Sequence, residues 1–302
     1  MNFIEYLYAI GNDNILEQLN KIPVQKSVHT ILMELFNTYA IIGGMPEVIK
    51  EYSENKSLAD IAVIYESLWE AFSDDITKHA SNKTESNVIR HVINTAYLNL
   101  DERIKFQHFG NSNYKSREVG EAFRTLEKAR FLYLIYPSTD VAIPMKPDLK
   151  KSPRLQFLDT GLINYKNRLQ GELLALNDLS SDYKGFLIPH IVTQELISIN
   201  NFTNYKPNFW VREKTQSSAE VDLLIPFKRK VIPIEIKSGS VGKLRSLFQF
   251  MENTNHAFAV RIYGGEFNIQ KVRTTNNKEF TLMNLPYYLG TKIFEYLDFF
   301  VN

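Results

Sequence analysis

The sequence predicts a mixed protein, α+β with an α/β block at its end: helices through residues 1–80, more helices leading into a strand-like run, then the order α-β-β-β-α-β. Three observations carry that prediction. Apolar residues recur at three- and four-residue spacing from Phe3 to Phe72, the period of an amphipathic helix. Between Ala219 and Gly239 two runs rich in β-branched and aliphatic residues flank Pro226-Phe227-Lys228-Arg229-Lys230, the pattern of two antiparallel strands joined by a tight turn. A stretch with Pro144, Pro147 and Pro153 among Lys146, Lys150, Lys151 and Arg154 separates the two kinds of pattern and reads as a boundary of solvated loop. The expected division is 1–80, 81–150 and 151–302.

The helices follow from their residues in order. Phe3, Leu7 and Ile10 mark the first, and Val28, Ile31, Leu32, Leu35, Phe36 and Tyr39 the second. Leu58, Ile61, Ile64, Tyr65, Leu68, Trp69 and Phe72 mark the third, with Ser57 as N-cap and Asp60 completing part of a capping box. In Ile41-Ile42-Gly43-Gly44-Met45-Pro46-Glu47-Val48 the glycines stop one helix and Pro46 suits the first turn of the next. Ser116 to Arg130 puts Val119, Phe123 and Leu126 on one face, and Phe131 to Tyr136 is a strand-like run ended by Pro137. Helices followed by a β-ribbon suggest a winged helix, in which Lys115, Arg117, Arg124 and Lys128 could meet DNA phosphates. Winged helices also serve as protein-docking modules. Further on come Leu155 to Leu162, a helix at about 183–200, a strand around Phe209-Trp210-Val211-Arg212, the hairpin, a helix at 242–253 and a strand at Phe258 to Ile262.

Composition excludes several classes. A chain of 302 residues with 44% hydrophobic content can build a sizeable core and two domains. Lys+Arg at 35 against Asp+Glu at 34 leaves +1, so there is no global basic field and any nucleic-acid contact must be local. The lack of cysteine excludes disulfides, thiolate metal sites and cysteine nucleophiles, and fits a reducing cytoplasm. No leader follows Met1, and no apolar run approaches the roughly 18 residues of a membrane helix. A cytoplasmic protein without membrane contact is expected. The histidines at 29, 79, 91, 108, 190 and 256 are scattered without HExxH, which argues against zinc, and GxSxG is absent. The 16 tyrosines and 20 phenylalanines read as core and interface material.

The chemistry concentrates in the hairpin. Alternation assigns Val221, Leu223, Ile225, Ile232, Ile234 and Ile236 to a core face, and Glu220, Asp222, Leu224, Pro233, Glu235 and Lys237 to the other. A turn centred on Lys228-Arg229 sets Glu220 opposite Lys237 and Asp222 opposite Glu235, the latter with Cβ atoms roughly 5 Å apart. Two carboxylates so placed repel unless a cation lies between them. One reading is a hard divalent ion, of which Mg²⁺ takes one or two carboxylate ligands; with Lys237 adjacent, it could activate a water for attack on a phosphodiester. The other is an exposed sheet face on which Glu220, Glu235 and Lys237 compensate one another. Spacing alone leans to the second.

Asp222 followed by Glu235-Ile236-Lys237 resembles the D…(D/E)xK signature of the PD-(D/E)XK, restriction-endonuclease-like fold, whose core order is α-β-β-β-α-β. The resemblance implies Asp222 and Glu235 as Mg²⁺ ligands and Lys237 as the group supporting the attacking water. A wider set covers nearly the whole chain: Gly43-Gly44-Met45-Pro46-Glu47, Leu158-Asp159-Thr160-Gly161-Leu162, Trp210-Val211-Arg212, Glu220-Val221-Asp222 and Pro233-Ile234-Glu235-Ile236-Lys237-Ser238-Gly239. It is similar to the C-terminal part of a bacterial and archaeal AAA-type ATPase family. Members carry a motor, a helical and winged-helix middle, and a C-terminal nuclease-like domain of uncharacterised function. Residues 1–40 then resemble the tail of a motor.

Two features depart from that family. A nucleotide-binding loop needs GxxxxGK[ST], and here the Gly242-Lys243 pair runs into Leu244. The chain is therefore expected to have no ATP site, and either to be truncated relative to the family or to meet an ATPase in trans. Where the family places an acidic residue early in the first nuclease helix, this chain has Pro189-His190, with Glu195 as a candidate substitute ligand. Two functions stay open: a DNA-binding or ATPase-recruiting module with weak or lost catalysis, which the incomplete ligand set favours, and an active Mg²⁺-dependent DNA endonuclease using Asp222, Glu235 and Lys237. A homo-oligomer is compatible with either.

Overall fold

The N-terminal region is helical, as its apolar period requires. A computed structural model describes residues 1–78, 80–100, 102–175, 181–199, 205–214, 217–238 and 244–301; His79, Gly239 and the Gly242-Lys243 pair lie outside the described residues. Helix α1 (Phe3–Ala9) starts at Asn2, whose side chain accepts from the Glu5 N–H at 3.0 Å. Then come α2 (Asp13–Leu19), α3 (His29–Ile42), α4 (Pro46–Asn55) and α5 (Leu58–Lys78). The glycine pair acts as expected: α3 ends at Gly43, φ +84°, and Pro46 opens α4. Ser57 Oγ accepts from the Asp60 N–H at 3.2 Å at the start of α5.

Helices α6 (Lys83–Ala96) and α7 (Ser116–Lys128) lead into β1 (Leu132–Ile135) and the two-residue β2 (Pro137–Ser138). Strand β3 (Arg154–Phe157) pairs antiparallel with β1 as a separate ribbon. Helices α8 (Thr160–Lys166), α9 (Gln170–Ala175) and α10 (Ser181–Ile199) follow, then β4 (Asn208–Lys214), β5 (Ser217–Phe227), β6 (Lys230–Ile236), α11 (Arg245–Asn253) and β7 (Phe258–Tyr263). From α10 to β7 this is the expected α-β-β-β-α-β order. It continues with β8 (Asn268–Arg273), β9 (Glu279–Pro286) and α12 (Ile293–Phe300), which the sequence pattern did not reveal.

The larger sheet is mixed, in the order β2-β4-β5-β6-β7-β9-β8. Strands β6, β7 and β9 run parallel, while β4-β5, β5-β6 and β8-β9 are antiparallel. One face packs on a large apolar cluster that draws residues from Phe3 to Val301, including α3, α5 and α10. The other is covered by Leu247, Phe250 and Met251 of α11, packed on Trp210, Val221, Leu224, Val231, Ala259 and Leu282. The second hairpin face is thus not exposed: α11, the crossover between parallel β6 and β7, lies on it and buries Leu224 and Pro233. No helix among the described residues is long and apolar enough to cross a membrane.

One buried carboxylate joins two of the motifs picked out in the sequence. Asp159 caps α8 through the Gly161 N–H at 2.9 Å, and its other oxygen accepts from the Gly44 N–H at 2.6 Å. The glycines make room for this docking. A Cβ on Gly43 would stand 2.7 Å from Gly161 Cα and collide with Asp159 Oδ1 and the Tyr65 hydroxyl. Gly43→Ala, adding that clash to an unfavourable φ, should therefore destabilise the fold by about 2–4 kcal/mol. A thermal midpoint unchanged from wild type would show that the junction relaxes freely.

Candidate functional site at the end of the hairpin

The hairpin has the expected register. Lys228 and Arg229 take φ +42° and +64°, the left-handed pair that a two-residue turn needs to match strand twist. The ladder pairs Phe227 with Lys230, Ile225 with Ile232 and Leu223 with Ile234. There it stops, because β5 bulges. Across β4 and β5, Asn208 pairs with Leu224 but Trp210 with Val221, so Asp222 and Leu223 together oppose Phe209. Strict alternation from Val221 to Ile225 is accordingly broken. Val221 packs with Trp210 and Leu224, whereas Leu223 and Ile225 face the large cluster. A bulge turns side chains at a strand end out of their regular alternation, and here the side chain affected is Asp222.

Asp222 uses that freedom to close the strand end. Its Oδ2 accepts from the Ile236 N–H at 2.7 Å, and Oδ1 lies 4.0 Å from Arg154 Nη1. Arg154 also donates to the Asp222 carbonyl at 3.4 Å, pairs with Glu220, and stacks 4.6 Å over the Phe209 ring. Glu220 takes a second partner in Arg103 at 3.6 Å. The expected Glu220–Lys237 pairing is thus replaced, because the ladder ends before reaching it and β3 brings Arg154 alongside β5. Glu235 is buried, its Oε1 2.6 Å from Lys237 Nζ, while its Oε2 has no partner among the described residues. Lys237 itself is anchored through its backbone, its N–H to the Ile262 carbonyl at 2.9 Å and its carbonyl to the Tyr287 hydroxyl at 2.6 Å.

The electrostatics follow from burial and mutual repulsion. Burial pushes the Asp222 carboxyl up, against Arg154, the Ile236 N–H and Lys237, which pull it down. Burial first, and the Asp222 charge second, push Glu235 up to about 7, opposed by Lys237 and Arg154. Each carboxylate thus makes the other harder to ionise. Against Asp222 lies a cavity of about 130 Å³, walled by Arg154, Gln156, Leu223 and, from α10, Pro189, His190 and Thr193. His190 accepts from the Phe157 N–H at 2.9 Å and is held neutral, burial pushing it down to about 3.

The other candidate residues are elsewhere. Glu195, on the same helix as His190, turns its carboxylate to α1 and α3, accepting from the Tyr39 hydroxyl at 2.7 Å and the Phe3 N–H at 3.1 Å. Lys115, Arg117, Arg124 and Lys128 are all exposed on and before α7, Arg124 pairing with Glu121 at 2.9 Å. Among the described residues no group of three or more His, Cys, Asp or Glu is placed to hold a metal ion. Arg154, the main cation on Asp222, was hidden in the sequence among loop charges. Its place directly before the alternating, strand-like run Leu155-Gln156-Phe157 was the available signal.

Residues 33–173 match a family described as a domain of unknown function (DUF8612), and residues 184–288 match another, also a domain of unknown function (DUF4143). The second is found in AAA-ATPase-associated proteins. No curated protein matches the chain.

Proposed function

We propose that this chain is a cytoplasmic, DNA-associated module that works with an AAA-type ATPase supplied in trans, built on a PD-(D/E)XK nuclease-like domain whose catalysis is weak or lost. Residues 1–80 correspond to the end of a motor, 81–150 to a winged-helix-like domain and 151–302 to the nuclease-like domain. The match of residues 184–288 to an ATPase-associated domain supports the partner, and the exposed Lys115, Arg117, Arg124 and Lys128 support the DNA contact. The observation that carries the loss of catalysis is that the carboxylates already have partners within the chain. Arg154 and the Ile236 N–H serve Asp222, and Lys237 serves Glu235.

A second reading, an active Mg²⁺-dependent endonuclease, is favoured by one observation: Glu235 Oε2 is buried with no partner among the described residues, and such an atom needs something to bind. Asp222 and Glu235 would hold Mg²⁺, whose charge would polarise a phosphodiester and a water. Arg154 and the Ile236 N–H would orient the Asp222 carboxylate, and Lys237 would support the attacking water.

Calorimetric titration of Mg²⁺ or Mn²⁺ into the chain, wild type beside Asp222→Asn, separates the two readings. The first expects little metal binding, with salt-sensitive retention of duplex DNA or of an ATPase and no turnover. Metal binding that Asp222→Asn abolishes, together with cleavage lost in Asp222→Asn and Lys237→Ala, would establish the second. Failure to bind either DNA or an ATPase at low salt would sink the first.

A further inference from the structure

The carboxyl ends of β6, β7 and β9 lie together, the end of a parallel sheet at which ligands commonly bind. The register there sets Glu235 beside Arg261, Arg261 beside Asn284, and Asn284 beside Asn268. Neighbours in register share a face, so the four form a polar row crossing four strands at steps of about 4.8 Å. Successive members of the row carry a buried polar atom with no partner among the described residues: Glu235 Oε2, Arg261 Nε and Asn284 Oδ1. Asn284 is fully buried, and its amide nitrogen donates to Asn268 Oδ1 at 2.8 Å. Buried polar groups are bonded in the great majority of cases; Glu235 Oε2 and Asn284 Oδ1 are acceptors that a phosphate oxygen cannot serve, so the unmet donor, Arg261 Nε, is the member of the row that points to an anion.

From this row we infer that Arg261 grips a phosphodiester beside the acidic centre, an inference that rests on the reading of the chain as DNA-associated. Of the cations near the centre, Arg154 is engaged by Glu220 and Asp222, and Lys237 by Glu235. Arg261 makes no ion pair among the described residues. The residue is half-buried, and its guanidinium lies 4.5 Å over the Tyr263 ring. That ring is held in turn, its hydroxyl donating to the Glu266 carbonyl at 2.5 Å and accepting from Asn268 Nδ2 at 3.0 Å. A planar guanidinium held by stacking rather than by a carboxylate is pre-oriented to offer paired N–H groups to phosphate oxygens. The competing role, compensating Glu235, is already filled by Lys237 at 2.6 Å.

The test uses the full chain and a fluorescently labelled short duplex, with anisotropy measured over a range of salt without divalent ions. Arg261→Ala should weaken binding about tenfold, as expected for losing a charge-assisted hydrogen bond, and reduce the log–log salt slope by about 1. Arg261→Lys should keep the slope and part of the affinity, and circular dichroism should show both variants folded with the wild-type melting midpoint. Unchanged affinity and slope in Arg261→Ala would overturn the inference while leaving DNA association intact. So would an unchanged duplex affinity alongside an altered Mg²⁺ titration, which would assign Arg261 to Glu235 instead. A wild type that binds no duplex at low salt would overturn both the inference and the reading beneath it.

Discussion

Replacing Asp159 with alanine is expected to remove about 3–5 kcal/mol of stability, the loss typical of stripping one partner from a buried charged cluster. Asp159 is 2% exposed, and its carboxylate accepts from Gly44 N–H, Gly161 N–H and the Tyr65 hydroxyl at 2.6, 2.9 and 3.2 Å. The Gly44 and Gly161 N–H groups, left buried without an acceptor, cost about 1–3 kcal/mol each, and the α8 cap disappears with them, while the Tyr65 hydroxyl keeps its bond to the Ile42 carbonyl. Asp159→Asn keeps the shape and one acceptor oxygen, so it should cost roughly half as much. The measurement is the urea midpoint at unchanged slope. An Asp159→Ala protein unfolding at the wild-type midpoint would mean that apolar packing alone docks α8 against the α3–α4 junction.

Glu195 should make stability fall as pH rises toward neutrality. The side chain is completely buried, and burial pushes its carboxyl from an ordinary 4.5 up to about 7, despite bonds from Tyr39 and Phe3 that favour the charged form. Because the folded value lies above the unfolded one, the contribution is fully present below about pH 4.5 and is lost as pH rises through about 7. The shift corresponds to about 3 kcal/mol in total. His190 acts in the opposite sense: held neutral when folded, it costs stability as pH falls below its unfolded value. Glu195→Gln isolates the first effect. The difference in unfolding free energy between variant and wild type should move in the variant's favour by roughly 3 kcal/mol between pH 4.5 and 8. A difference that stays constant over that range would show that Glu195 does not titrate there.

The acidic centre was legible in part. Asp222, Glu235 and Lys237 do come together at one end of the hairpin, since two-residue turns and β-branched runs impose a register over a few residues. What escaped the pattern is the bulge at Asp222-Leu223. It arises from how β4 pairs with β5, and Phe209 stands at no recognisable distance from Asp222 in the chain. Arg154 escaped for the same reason: a charge after proline looks like solvated loop until β3 is placed beside β5. Glu195 shows the converse. A glutamate in an apolar helix carries no sign of its partners, and those partners, Phe3 and Tyr39, lie far away in sequence.

By itself the sequence determined what neighbouring residues can settle: the helices at 3–9, 29–42 and 58–78, the stop at Gly43, the cap at Ser57, and the hairpin turn with its register. These depend on side-chain period, allowed φ and caps within one turn, all of which are local. Only the tertiary structure decided that α11 buries the second hairpin face, that Asp159 ties Gly44 to Gly161, and that Glu235, Arg261, Asn284 and Asn268 line up across four strands. Those outcomes depend on which distant surfaces exclude water from one another. Burial against a partner far along the chain leaves no period in the residues that undergo it.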